Sequence, residues 1–314
     1  METVTNTNTH ADRQIGVCGA VTAWEASSSR GDLQRRPLVE TKSVDILWRL
    51  TAATRRRLFP VDPNHHRLQG VWRKIARADS FLLELTLIEH DVQKQFRDAL
   101  DVERDGDVSS YRITAVPDVP AEYGLILGDA LHNYRAALDH LAYQLIVAGG
   151  LEPTDRTAFP LLDDPCKASA LADIKPGLPE KVRRVLDSVQ PCRNAEPADH
   201  PLRILHKLDI ADKHHGLLPC VVSSSGAGWF GPVELIAFNV GPYAAGDIVS
   251  SARIDSSEPG AIRDLEHRVH VSVNHPAVVG PARSMSMSMS TYVTQGVRRY
   301  IERNIILPLS AFLD

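Results

Sequence analysis

The chain reads as an α+β protein, a helical bundle with a small antiparallel β-sheet inserted before the C-terminal helix. Three observations predict this. Apolar residues recur at three- and four-residue steps over long stretches before residue 216. β-branched runs separated by Gly and Pro turns then fill about 217–279. Helical spacing returns in the last twenty-odd residues, about 290–312.

Composition sets the broad class. With 314 residues, 43% hydrophobic and 24% charged, the chain can bury a substantial core and falls outside the disordered class. A net charge of −4 gives no global basic field, so any RNA site has to be local. Cys18, Cys166, Cys192 and Cys220 form no C-x-x-C pair, which argues against a zinc ribbon or redox pair and suits free thiols in a reducing cytosol. No apolar run reaches the roughly 18 residues of a membrane span, and the N-terminus lacks a signal-peptide core. The expected location is cytoplasmic, with no membrane partner.

Taken in order, residues 1–60 differ from the rest. They open on a Thr/Asn run, hold SSSRG at 27–31, and carry nine Lys and Arg against six Asp and Glu. They read as a largely disordered extension with one short amphipathic candidate, Val44 to Leu58, ending in the cluster Arg55–Arg57. Residues 61–314 read as one α+β domain. Leu68, Val71, Ile75, Ala78, Leu82, Leu85, Val92 and Ala99 predict a long bundle helix over about 65–100. Tyr111 to Val116 reads as a short strand or extended link. A second bundle helix spans about 120–148 and stops at Gly149-Gly150. Seven prolines break up 151–200, leaving one short helix at Glu180 to Val189. Pro201 opens another helix at a favourable first-turn position, and Gly216 closes it. Val233–Val240, Asp247–Ile254 and Val269–Val273 are the clearest strands of a sheet of three to five. The SMSMSMS run at 284–290 suits an edge strand or a linker. A final helix carries Val293, Val297, Ile301 and Ile305 on one face and is expected to bend or fray at Pro308.

The stretch LGDALHNYRAALDHLAYQLI, Leu127 to Ile146, holds the densest chemistry. Leu127, Leu131, Tyr134, Leu138, Leu141 and Leu145 share one face, while His132, Arg135, Asp139 and Tyr143 form a stripe roughly opposite, with His140 beside it. In the later helix LRILHKLDIADKHH, Leu205 and Leu208 mark the core face, and Asp212 falls on that same arc. A carboxylate among leucines is costly unless paired. Asp212 is therefore expected to find a basic partner, with Arg135, His132 and His140 as the candidates. Such a cluster either fixes how two helices cross or lines a cleft. Arg135 within it opposes a cation, no H-E-x-x-H or H-x-x-x-H spacing occurs, and no metal or cofactor is expected. There is no G-x-S-x-G nucleophile elbow and no G-x-x-x-x-G-K-[ST] phosphate loop.

At Arg135–Ala136–Ala137–Leu138–Asp139–His140 the chain resembles the HEPN superfamily, all-α domains that carry R-x(4–6)-H on a bundle helix and include many bacterial ribonuclease toxins. In that family the Arg and His project into a cleft between two protomers. The resemblance implies metal-independent RNA cleavage in a toxin or phage-defence setting. His140 would assist activation of a ribose 2′-hydroxyl and Arg135 would steady the phosphate, with RNA as partner and a homodimer as the working assembly. The chain is also similar, over about 65–314, to a group of uncharacterised bacterial proteins that share an LHNxRxALDH-like helix, an FP element (Phe159-Pro160) and a DKH-like helix end (Asp212, Lys213, His214). The alternative to a nuclease is a structural or ligand-binding module in which His132, Arg135, Asp139, His140 and Asp212 belong to a buried hydrogen-bond network.

Overall fold

The computed structural model describes residues 66–162, 177–228, 233–254, 266–275 and 288–313. The extension read over 1–60, its candidate helix and residues 284–287 of the SMSMSMS run lie outside them. The architecture is α+β. Helix α1 (Gln69–Asp98) and helix α2 (Ala121–Ala148) pack lengthwise against each other, and α4 (Pro201–His215) crosses α2. Short α3 (Glu180–Ser188) packs against the C-terminal helical run.

The predicted apolar faces are the buried ones. Val71, Ile75, Ala78, Leu82, Leu85 and Val92 of α1 meet Leu127, Leu131, Tyr134, Leu138, Leu141 and Leu145 of α2, all but shut off from solvent. Each such aliphatic side chain contributes about 1.5–3 kcal/mol on removal from water, which makes this seam the main cohesive element. Burial continues into the C-terminal run, where Val293, Val297, Ile301 and Ile305 are fully buried. That run starts as α5 (Met289–Tyr292), passes through π-helical turns at Val293–Arg298 and Ile301–Ile306, and ends in α6 (Leu307–Leu313). It does not fray at Pro308. The proline directly follows the π-helical turn Ile301–Ile306, an irregularity in the hydrogen-bond ladder that suits a residue without an N–H, and Leu309 and Leu313 beyond it remain buried.

Two carboxylates, buried Glu89 and partly buried Asp79, tie the bundle together. Glu89 of α1 accepts from the Tyr123 hydroxyl of α2 (2.5 Å) and from both the backbone N–H (3.2 Å) and hydroxyl (2.6 Å) of Ser290. Asp79 accepts from the Tyr134 hydroxyl (2.5 Å) and from Arg298 Nε (3.1 Å), while Arg298 Nη1 also reaches Glu302 (2.8 Å). Burial opposes the Arg298 charge, but Asp79 and Glu302 together hold its pKa above the ordinary value.

The β part departs from a single inserted sheet. Strands β1 (Leu100–Asp105) and β2 (Val108–Ile113) form a hairpin directly after α1, turning at Gly106 with φ +60°. That hairpin joins β5 (Ile248–Ile254) and β4 (Val233–Phe238) in an antiparallel sheet of order β1-β2-β5-β4. Strands β3 (Cys220–Gly228) and β6 (Glu266–Val273) pair separately, and Gln93 of α1 donates to the Val269 carbonyl (2.8 Å) to dock β6 on the bundle.

Candidate functional site

The stripe of α2 splits into three places with different chemistry. Arg135 is only 9% exposed. Its Nη2 donates to the Phe159 carbonyl (2.9 Å) and lies 3.0 Å from Asp139 Oδ1. Asp139 Oδ1 also accepts the Phe159 N–H at 2.9 Å. One Arg–Asp pair, four residues apart on a helix, thus satisfies both polar groups of a buried backbone unit in an extended segment. The same segment is held from its other side. Gln190 Oε1 accepts the Leu162 N–H (3.0 Å), and the Cys192 N–H donates to the Leu162 carbonyl (3.0 Å). Phe159, 1% exposed, is locked into the core by these bonds. Burial pulls the Arg135 pKa down, against the supporting charges of Asp139 and Asp209. Arg135 Nη1 is buried with no hydrogen-bond partner among the described residues.

The second place is the α2–α4 crossing, where one expectation needs correcting. The carboxylate stranded in the core is Asp209, 3% exposed, not Asp212. Asp209 follows Leu205 by one turn and Leu202 by two, and both leucines are fully buried, so the inward arc runs through 202, 205 and 209. Its partners are Lys213 Nζ (2.7 Å) and His132 Nδ1 (3.2 Å). The expected basic counterpart on α2 exists, and it is His132. Asp212 lies at the margin of the interface against Gly128, where a Cβ on that glycine would come 2.2 Å from Asp212 Oδ1. With access to water it needs no full pairing. Burial, then Asp129, then Asp209 raise its carboxyl above the usual range.

The third place is a groove. His140 lies with Arg67, Gly70, Asp139, Tyr143 and Gln144 along an open cleft of about 460 Å³ at the start of α1. Gly70 sets the approach, since a Cβ there would meet His140 Nδ1 at 2.9 Å. The first turn of α1 carries no acidic residue and no side-chain cap. Arg135, by contrast, does not reach the groove wall. Arg135 and His140 are therefore neighbours in sequence whose side chains serve different surroundings.

Sequence reasoning missed Asp209, Arg67 and Gly70. Asp209 was readable from its distance to Leu202 and Leu205. Arg67 and Gly70 carry no local signal, because a tertiary approach between two helices puts them beside His140. Among the described residues no group of three or more His, Cys, Asp and Glu side chains is placed to hold a metal ion, and no helix is long and apolar enough to cross a membrane. The spacing G-x-G-x-x-G occurs from Gly226 to Gly231, but Gly226 and Gly228 lie in β3 and the next element among the described residues is strand β4. A dinucleotide motif needs a helix there. The two described cysteines, Cys192 and Cys220, are free, and burial pushes the Cys220 thiol up to about 12, far from an activated thiolate. In comparisons with known proteins the chain matches no family model, no curated protein and no solved structure.

Proposed function

We propose that this chain is a ligand-binding module in which the Arg135–Asp139–Phe159 network is architectural and the groove beside His140 takes the ligand. The observation that carries this reading is the burial of the Arg135 guanidinium and its commitment to a backbone carbonyl and to Asp139. An arginine that steadies a scissile phosphate has to be presented to it. The His132–Asp209–Lys213 cluster fits the same reading as a paired buried charge that fixes the α2–α4 crossing.

One observation favours a second reading, metal-independent RNA cleavage. His140 and His66 both line the open groove, and imidazoles are suited to acid–base work near neutral pH. In that reading Arg67 rather than Arg135 would face the phosphate, and RNA and a homodimer enter as partners. The test is His140→Ala, assayed for cleavage of single-stranded RNA and for unfolding free energy alongside the wild type. The binding-module reading expects no cleavage by either protein and stability within about 0.5 kcal/mol, as for a surface substitution. RNA cleavage by the wild type that disappears in His140→Ala, at equal stability, overturns it in favour of the nuclease.

A further inference from the structure

We infer that the His140 groove binds a small phosphate-bearing ligand with a planar ring, of mononucleotide size. The inference rests on the binding-module reading and specifies its ligand class. Four observations bear on it. The groove is about 460 Å³, within the span of small-molecule sites. Its cationic and polar walls come from separate segments: Arg67 from the turn before α1, His140 and Gln144 from α2, and Thr157 from the stapled segment ahead of Phe159. Guanidinium and imidazole groups converging on one cleft favour an oxyanion, and Arg67 offers the forked geometry that a phosphate accepts.

Asp139, the one carboxylate on the wall among the described residues, does not cancel this charge. Its Oδ1 is engaged by Arg135 Nη2 and by the Phe159 N–H, so its charge is matched within the fold. The start of α1 adds to the same field. It is a 30-residue helix with no acid in its first turn and no side-chain cap, and Gly70 lets the imidazole rest directly on its backbone. The ring preference follows from Tyr143, a large aromatic left 47% exposed at the groove. A half-exposed tyrosine beside a cationic cleft presents a face on which a base can stack.

The test is a titration of the full chain carrying ring-labelled histidine, with the His140 signal assigned by its loss in His140→Gln. The probes are adenosine 5′-monophosphate, inorganic phosphate, adenosine and a single-stranded oligonucleotide. Adenosine 5′-monophosphate is expected to shift the His140 signal saturably, inorganic phosphate to do so at least tenfold more weakly, and adenosine not to shift it at comparable concentrations. Arg67→Gln should weaken the mononucleotide about tenfold. Gly70→Ala, which leaves every charge in place and suits a helix, should also weaken it by displacing the imidazole. Adenosine binding as tightly as its monophosphate overturns the phosphate inference while leaving the groove as a binding site. An oligonucleotide binding more than tenfold tighter overturns the small-ligand class. A His140 signal unmoved by any probe overturns the phosphate inference, and if a panel of neutral small molecules also leaves it unmoved, the binding-module reading falls as well.

Discussion

Asp209 and Asp212 sit three residues apart on α4 and differ in what surrounds them. Asp209 is buried, while its partners Lys213 and His132 reach it from exposed positions. Removing its charge takes the ion pair from a buried site but leaves the lysine and histidine in contact with water. Asp209→Asn should cost about 1.5–3 kcal/mol of unfolding free energy, the order expected for losing charge-assisted hydrogen bonds to one buried group. Asp212 behaves oppositely. Its carboxyl is raised above the ordinary 3.8 by burial and by the acids around it. A raised carboxyl favours the fold only below its unfolded value, and that advantage is lost as pH rises through the folded value. At pH 7, Asp212→Asn should therefore be neutral or slightly stabilising. Urea denaturation of the two variants checks both signs. Equal costs at the two positions would contradict the assignment. The same pair shows what was legible at this scale. The need for a buried acid on α4 to meet a base on α2 could be read from leucine spacing, and Leu202, two turns before Asp209, marks which acid turns inward.

At the scale of elements, the long helices were legible because an amphipathic period over twenty or more residues leaves few alternatives. The expected face of α2 is buried throughout, and that of α1 is buried from Leu68 to Val92, while Ala99 lies just past the helix end and is only partly buried. The β1–β2 hairpin was not recognised, although Asp105-Gly106 between two strand-like runs is a turn signal, and Gly106 adopts the positive φ such a turn uses. The sheet was expected as a local insertion, whereas β4 and β5 complete a sheet begun at residue 100. Pairing between strands over 130 residues apart leaves no trace in local patterning. Strand β6 carries its own prediction. His267 and His270 are buried on it, and burial lowers both imidazoles from 6.5 to about 4. His267 Nε2 lies 2.7 Å from the Ser250 hydroxyl of β5, and its ring packs edge-on to Tyr111 of β2 at 5.0 Å, so β6 links to the four-stranded sheet through a neutral imidazole. As pH falls below about 6.5 the unfolded chain takes up these protons first. The associated stability is complete above that value and is lost as pH falls towards about 4. Denaturation midpoints should drop between pH 7 and pH 4.5, and His270→Leu should flatten the drop. An unchanged profile in that variant would exclude His270 as a source.

Across the whole molecule, one helix serves both architecture and the candidate site. The core face of α2 seals the bundle, Arg135 and Asp139 hold the Phe159 segment, His132 meets Asp209, and His140 is left to a groove built with the start of α1. Residue chemistry made this stripe conspicuous in the sequence. It could not tell a guanidinium bound to backbone from one offered to a ligand, since both need an arginine opposite a leucine face. That distinction is the centre of the account, and the unfolding free energy of Arg135→Leu, measured beside His140→Ala, tests it most directly. The account predicts a loss of about 3–5 kcal/mol for Arg135→Leu, because the Phe159 carbonyl and Asp139 are left without their cation, and almost none for His140→Ala. An Arg135→Leu protein as stable as the wild type would show that the guanidinium does not hold the fold and would return it to the candidate site.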